Sequence, residues 1–153
     1  MSHSFTQLYV HAVFAVKNRS ALIPVDKLQG IHAYIAKLLF NLGHSPLAVG
    51  GIGDHVHAFF MLNPQVDIAS TMSKIKANSS RVINESRGNY TSRFCWQHGY
   101  SAFTCSKEHA QRVKNYVLHQ NEHHRGMTFE EEMAEFAKRL GVEGTPEIPV
   151  PDF

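Results

Sequence analysis

From Phe5 to Val16 successive residues alternate between two faces, with Leu8, Val10, Ala12, Phe14 and Val16 falling on one face. A period of two predicts a strand with one buried side. It runs into a basic turn, Lys17-Asn18-Arg19. From about Asp26 to Leu42 the period lengthens. Leu28, Ile31, Ile35, Leu38, Leu39 and Leu42 recur at helical spacing, and Gly43 ends the helix. Pro46 to Val49 predicts a short strand, and Gly50, Gly51 and Gly53-Asp54 a flexible turn. His55 to Leu62 predicts a third strand, broken by Asn63-Pro64. Ile68, Met72, Ile75, Ser79 and Val82 mark one side of a second helix, from about Asp67 to Glu85. Phe94 to Cys105 is aromatic and strand-like. Ser106 suits the cap of a helix from about Lys107 to Glu122. Thr128-Phe129-Glu130-Glu131 forms a capping box for a last helix ending near Leu140-Gly141. Pro146, Pro149 and Pro151 predict an extended tail.

The first six elements follow the order strand, helix, strand, strand, helix, strand. That is the split β-α-β repeat, so the expected class is α+β: a ferredoxin-like antiparallel sheet with additional C-terminal helices. The 153 residues suffice for one sizeable core. One domain over residues 1–141 is expected, with 142–153 as an extended C-terminal tail. Such a fold hosts many functions and names none of them.

Composition changes the picture in two ways. Net charge is only +2, but residues 1–125 carry 13 Lys and Arg against 6 Asp and Glu, while 126–153 carry 2 against 7. A body this basic favours a polyanionic partner. The acidic residues Glu130, Glu131, Glu132 and Glu135 read as a solvated helix face. No apolar run is long enough to span a bilayer, and the N-terminus lacks a signal-peptide pattern, so a cytoplasmic protein is expected. The two cysteines, Cys95 and Cys105, match no zinc knuckle and read as half-buried strand residues.

Eleven histidines matter only through their placement. His55 and His57 lie two apart on a strand whose other face, Val56, Ala58, Phe60 and Leu62, belongs in the core. Both imidazoles therefore project from the same opposite side. They suit two nitrogen ligands to one divalent cation, or equally a pair of hydrogen-bonded histidines. Tyr116 and Gln120 share one helix face, one turn apart. They read as packing and solvated residues, or as a nucleophile and an oxygen ligand if the histidine strand lies nearby. Trp96-Gln97-His98-Gly99-Tyr100-Ser101-Ala102-Phe103 leads into that helix. Trp96 and Phe103 suit the core, and Gly99 permits a bulge or a close backbone approach.

Taken together, these blocks resemble the single-tyrosine HUH transposases of minimal bacterial insertion sequences, the IS-two-hundred-like class. The resemblance runs from about Phe5 to Leu140. It rests on Ala12-Val13-Phe14 with Lys17-Asn18-Arg19, Gly50-Gly51 through His55-Val56-His57, Lys76-Ala77-Asn78-Ser79-Ser80, the Trp96 to Phe103 block, Tyr116-Val117-Leu118-His119-Gln120 with His123-His124, and Phe129-Glu130-Glu131-Glu132. It implies that His55, His57 and Gln120 hold a divalent metal, Mg²⁺ or Mn²⁺, and that Tyr116 is the nucleophile. The implied enzyme cleaves and rejoins single-stranded DNA at insertion-sequence ends through a 5′-phosphotyrosine. The resemblance also implies hairpin-bearing DNA ends and a homodimer, with the site assembled within one chain or between two. His119 departs from the asparagine of many relatives. Lys17, Arg19, Lys74, Lys76, Arg81 and Arg112 are candidate phosphate contacts, each with a solvated surface charge as its plainer reading.

Three other readings stay open. A domesticated relative acting on repeated palindromes, like the REP-associated tyrosine transposases, shares the chemistry. A non-catalytic nucleic-acid-binding ferredoxin-like module needs no His55, His57, Tyr116 and Gln120 together. A zinc hydrolase using His55, His57 and a histidine from 119–124 needs a catalytic carboxylate, for which Asp54 is the close candidate.

Overall fold

The computed structural model describes residues 4–17, 22–87, 93–120 and 127–139. The predicted tail, the Arg19 side of the basic turn and His123-His124 lie outside them. Strand β1 spans Tyr9–Ala15, helix α1 Val25–Asn41, β2 Ser45–Ile52, β3 His55–Met61, helix α2 Ile68–Ser86 and β4 Ser101–Cys105. A 3-10 turn, Lys107–His109, leads into α3, Ala110–Leu118, and α4 spans Phe129–Arg139. The strands form one sheet in the order β2-β3-β1-β4, every neighbouring pair antiparallel. This is the expected β-α-β-β-α-β arrangement with helices added at its C-terminal side.

The main core fills one face of the sheet. Val10, Ala12, Phe14 and Val16 meet Val56, Ala58 and Phe60 there, beneath Ile31, Ile35 and Leu39 of α1 and Met72, Ile75 and Ile83 of α2. Burying each large apolar side chain contributes about 1.5–3 kcal/mol. Asp67 starts α2 by accepting the Ser70 N–H at 2.6 Å. Among the described residues, no helix is long and apolar enough to cross a membrane.

The alternation in β1 predicts one buried side, yet all seven of its residues are buried. The second face is covered by the C-terminal helices. Val117 of α3 packs with Tyr9 and Phe59, and Phe129 and Met133 of α4 pack with Val13 and Ala15. The second face carries Tyr9, Val13 and Ala15, so the strand reads as a near-continuous apolar run, as a strand covered on both sides does.

Two glycine-bearing segments depart from expectation. Gly50 and Gly51 belong to β2, and the turn is confined to Gly53-Asp54. At Gly50 a β-carbon would lie 2.0 Å from the Val117 carbonyl oxygen, so the absence of a side chain lets α3 settle directly on the sheet. The predicted strand from Phe94 pairs regularly only from Ser101, with a single bridge between Trp96 and Val16 before it. Gly99 turns the chain with a φ of 81°. The Lys76 ammonium donates to the carbonyls of Gln97 and Gly99, and the Trp96 indole N–H donates to Ser79 Oγ at 2.9 Å. The segment is therefore tied both to α2 and, through the Lys17 N–H to Cys95 and Gln97 N–H to Ala15 hydrogen bonds, to the end of β1. Cys105 is half-buried at the end of β4, while Cys95 is exposed and lies outside any strand.

Candidate metal centre and its tyrosine

Strand β3 is central, flanked by β1 and β2, and its pleat alternates as the sequence predicts. Val56, Ala58 and Phe60 enter the main core, so His55 and His57 face the C-terminal helices. Both are fully buried. Helix α3 crosses this face over Gly50 and brings Tyr116 to the pair; it ends at Leu118, short of the expected Glu122, and Gln120 follows just beyond its cap. The Tyr116 ring stands 5.6 Å from the His57 ring at 84°. Gln120, 2% exposed, places Oε1 3.3 Å from His55 Nε2 while its amide donates to the Tyr116 carbonyl. The four residues singled out in the sequence thus meet within one chain.

A fifth group meets them. Glu132 of α4 is 1% exposed, with Oε1 3.0 Å from His57 Nε2 and Oε2 3.4 Å from His55 Nε2. The Tyr116 hydroxyl donates to Glu132 Oε1. The solvated-face reading holds for Glu131, which is exposed, and fails for Glu132. Phe129, Glu132 and Met133 are spaced three and four apart, so the carboxylate rides on the buried stripe of its helix. That spacing was the available signal. Half of the predicted capping box forms at the start of this helix, as the Glu131 N–H donates to Thr128 Oγ1 at 3.2 Å.

Each imidazole has a second partner behind it. Asp54 Oδ1 lies 2.6 Å from His55 Nδ1. His11 Nε2 lies 2.7 Å from His57 Nδ1. His11 is 3% exposed and sits on the same sheet face because it is two residues from both Tyr9 and Val13 in β1. Sequence reasoning weighed Asp54 only as a hydrolytic carboxylate and passed over His11.

These contacts set the charge states. Burial alone would lower the His55 pKa, but the Asp54 and Glu132 carboxylates outweigh it and raise it to about 9. His11 is held well below the usual histidine value, first by burial and then by its neighbour His57, against the weaker pull of Glu132. Burial pushes the Tyr116 phenol above its ordinary pKa, and the hydrogen bond to an anionic Glu132 adds to this.

The donor set fits a divalent metal. His55, His57 and Glu132 each offer a ligand atom, all within 4.8 Å of one another, and the Gln120 oxygen lies alongside. Two imidazole nitrogens suit Mn²⁺ better than Mg²⁺, and the oxygen donors suit both. A cleft of about 440 Å³ opens beside the cluster, lined in part by His32, Gly50, Gly51, Leu118 and Gln120.

The candidate phosphate contacts are dispersed. Lys17, Lys74, Arg81 and Arg112 are exposed. Lys74, Lys76 and Arg81 belong to α2, across the sheet from the histidines. Arg81 pairs with Glu85 at 3.6 Å, and Lys76 is committed to backbone carbonyls. Arg19 lies outside the described residues.

An α+β sheet that presents two strand histidines and a helix tyrosine on one face matches the arrangement the sequence resemblance implies, and the buried Glu132 carboxylate is an addition to the donor set it gave. Residues 4–120 match the family model described as "Transposase IS200 like", and the chain belongs to that family. Among solved structures, the chain resembles a putative transposase from Deinococcus radiodurans, with 18% identity, a TM-score of 0.61 and coverage of 76% of this chain and 93% of that one. It also resembles a REP-associated tyrosine transposase bound to a REP hairpin, with 14% identity, a TM-score of 0.53 and coverage of 76% and 68%. At these identities the likeness is one of fold. No curated protein sequence matches the chain.

Proposed function

We propose that the chain is a metal-dependent, single-tyrosine transposase that cleaves and rejoins single-stranded DNA at insertion-sequence ends through Tyr116. The observation that carries this reading is the meeting of the Tyr116 hydroxyl with His55, His57, Gln120 and Glu132 inside one chain. A packing tyrosine or a simple nucleic-acid-binding sheet has no need of that convergence. His55, His57 and Glu132 hold the cation, Mg²⁺ or Mn²⁺, with the Gln120 oxygen as a further donor. When bound, the cation withdraws charge from the scissile phosphate and orients it for in-line attack.

The chain's own groups do the rest. Tyr116 attacks phosphorus, the bond to the 3′-oxygen breaks, and that oxygen takes up a proton as the 3′-hydroxyl leaves. The phenolic proton departs toward the Glu132 carboxylate that already accepts it. The product is a 5′-phosphotyrosine, which keeps a phosphodiester-like bond. A different 3′-hydroxyl then attacks it, reseals the DNA and releases the tyrosine without ATP. A flexible single strand suits a phosphate that must bend into a recess on the sheet. The basic body supports a polyanionic substrate, and the hairpin-bound relative supports a hairpin at the DNA end.

The test incubates the full chain with labelled single-stranded element ends and Mn²⁺ and looks for a covalent adduct that survives denaturation. Tyr116→Phe abolishes the adduct, and His57→Ala reduces it at least a hundredfold while hairpin binding persists. An adduct in the phenylalanine variant overturns the nucleophile. The convergence within one chain also supports assembly of each site from a single protomer, including within a homodimer. Mixing the two variants then restores nothing, whereas a site shared between protomers recovers activity.

A further inference from the structure

We infer that His11 of β1 is a positioning residue that fixes the tautomer and ring orientation of His57. The inference rests on the metal-centre reading above and assigns a residue which that reading leaves unused. A neutral imidazole carries one N–H. For His57 to offer a lone pair at Nε2, the nitrogen facing Glu132 at 3.0 Å, its proton must sit on Nδ1. Nδ1 faces His11 Nε2 at 2.7 Å, so it donates there, and His11 Nε2 must accept. His11 is therefore neutral, with its own proton on Nδ1. An imidazolium at this position would leave two donors facing each other.

Its surroundings suit that task. The His11 and His57 rings stack with centroids 5.0 Å apart and planes 28° from parallel, while Tyr116 and Phe59 meet the His11 ring edge-on. The ring is thus held by packing from the same side chains that frame the centre. Asp54 does the corresponding work for His55 with a carboxylate. The two metal-facing histidines are consequently unequal: one is backed by an anion, the other by a neutral acceptor on a neighbouring strand. Partners of this kind typically alter metal affinity by about 10–100-fold.

The test titrates Mn²⁺ into the full chain by calorimetry, comparing the wild type with His11→Phe, His11→Gln and His57→Ala. His11→Phe keeps the ring packing and removes the acceptor, so affinity falls about tenfold or more. His11→Gln supplies an amide oxygen and recovers most of it, a rescue that packing alone does not produce. Nitrogen-15 NMR of the Mg²⁺-loaded wild type shows His57 protonated at Nδ1, and His11→Phe shows mixed tautomers. Affinity of His11→Phe within twofold of wild type overturns the inference, as does a loaded wild type lacking the Nδ1 proton. If His11→Phe fails to fold, the wild-type tautomer and the glutamine variant decide. Should His57→Ala bind Mn²⁺ as tightly as wild type, the metal-centre reading itself falls. Weak binding by His57→Ala beside normal binding by His11→Phe removes His11 alone.

Discussion

At the scale of the residue, burial decides which groups carry chemistry. Glu132 sits among Glu130, Glu131 and Glu135 in the sequence, yet it alone of the four is fully buried. Its carboxylate faces two imidazoles and a phenol. Glu132→Gln preserves volume and removes the charge, so Mn²⁺ affinity is expected to fall more than tenfold in a calorimetric titration. Unchanged affinity would reduce Glu132 to an anchor for its helix. His44, buried away from the centre, makes a different prediction. His44 Nδ1 accepts the Asn63 N–H at 2.9 Å, and its Nε2 donates to Thr71 Oγ1 at 2.8 Å, so both nitrogens are satisfied only in the neutral form. Burial lowers its pKa. The unfolded chain, with a histidine pKa of about 6.5, takes up the proton first as the solution is acidified. This contribution to stability is present above about pH 6.5 and lost as pH falls from there toward the folded pKa. Urea unfolding of wild type and His44→Gln at pH 7.5 and pH 5.5 checks it. The wild type loses more stability than the variant across that interval, and an equal loss would rule His44 out.

At the scale of the element, the site depends on how closely α3 lies on β2 and β3. Gly50 makes that approach possible, because a β-carbon there would strike the Val117 carbonyl. Gly50→Ala must lift the helix, and overpacking of this kind costs about 1–3 kcal/mol. Tyr116 adjoins Val117 on that helix, and Gln120 lies just past its end. Adduct formation should therefore fall at least tenfold, while His55, His57 and Asp54, which belong to β3 and its preceding turn, stay in place. Comparing thermal unfolding with the adduct rate tests this; a stable variant with wild-type rate would show that α3 tolerates the shift. The sequence made much of this layer legible. Period two placed both histidines on one face, and a spacing of four placed Tyr116 with Gln120. The three helices spanning 25–41, 68–86 and 129–139 fall close to their expected positions. The contact between Gly50 and α3 was not legible, since it joins residues 67 apart and reads locally as a turn. The second face of β1 was signalled by its apolar Tyr9, Val13 and Ala15, but not its cover, which comes from Phe129 and Met133. His11 and Glu132 gain their roles from neighbours distant in the chain, although the spacing of Glu132 with Phe129 and Met133 marks it for the buried side of its helix.

At the scale of the whole molecule, the centre is closed. His55, His57, Gln120 and Glu132 are all almost without exposure, and only Tyr116 is half-exposed. The cleft beside the site reaches Gln120, but the imidazoles are not among its lining residues. A phosphate bulkier than a water molecule cannot meet those nitrogens while α4 is docked over them. Phe129 lies against the His55 ring at 4.5 Å, so a transient opening of α4 admits the phosphate, after which the helix must return for Glu132 to serve the cation and Tyr116. Charge favours such an opening. The segment from residue 126 onward carries 7 acidic against 2 basic residues, and the body before it carries 13 basic against 6 acidic. An acidic segment and a DNA strand are both drawn to a body of net positive charge. Helix α4 holds to the sheet through the side chains of Phe129, Glu132 and Met133, whereas β1 and β3 are hydrogen-bonded to strands on both sides. Its amides should open at lower free energy than theirs. Hydrogen–deuterium exchange is expected to show α4 exchanging well ahead of β1 and β3, and faster still when a single-stranded DNA end is bound. Protection of α4 that matches β3 and does not respond to DNA would mean that the strand reaches the histidines by another path, with Glu132 left in place throughout.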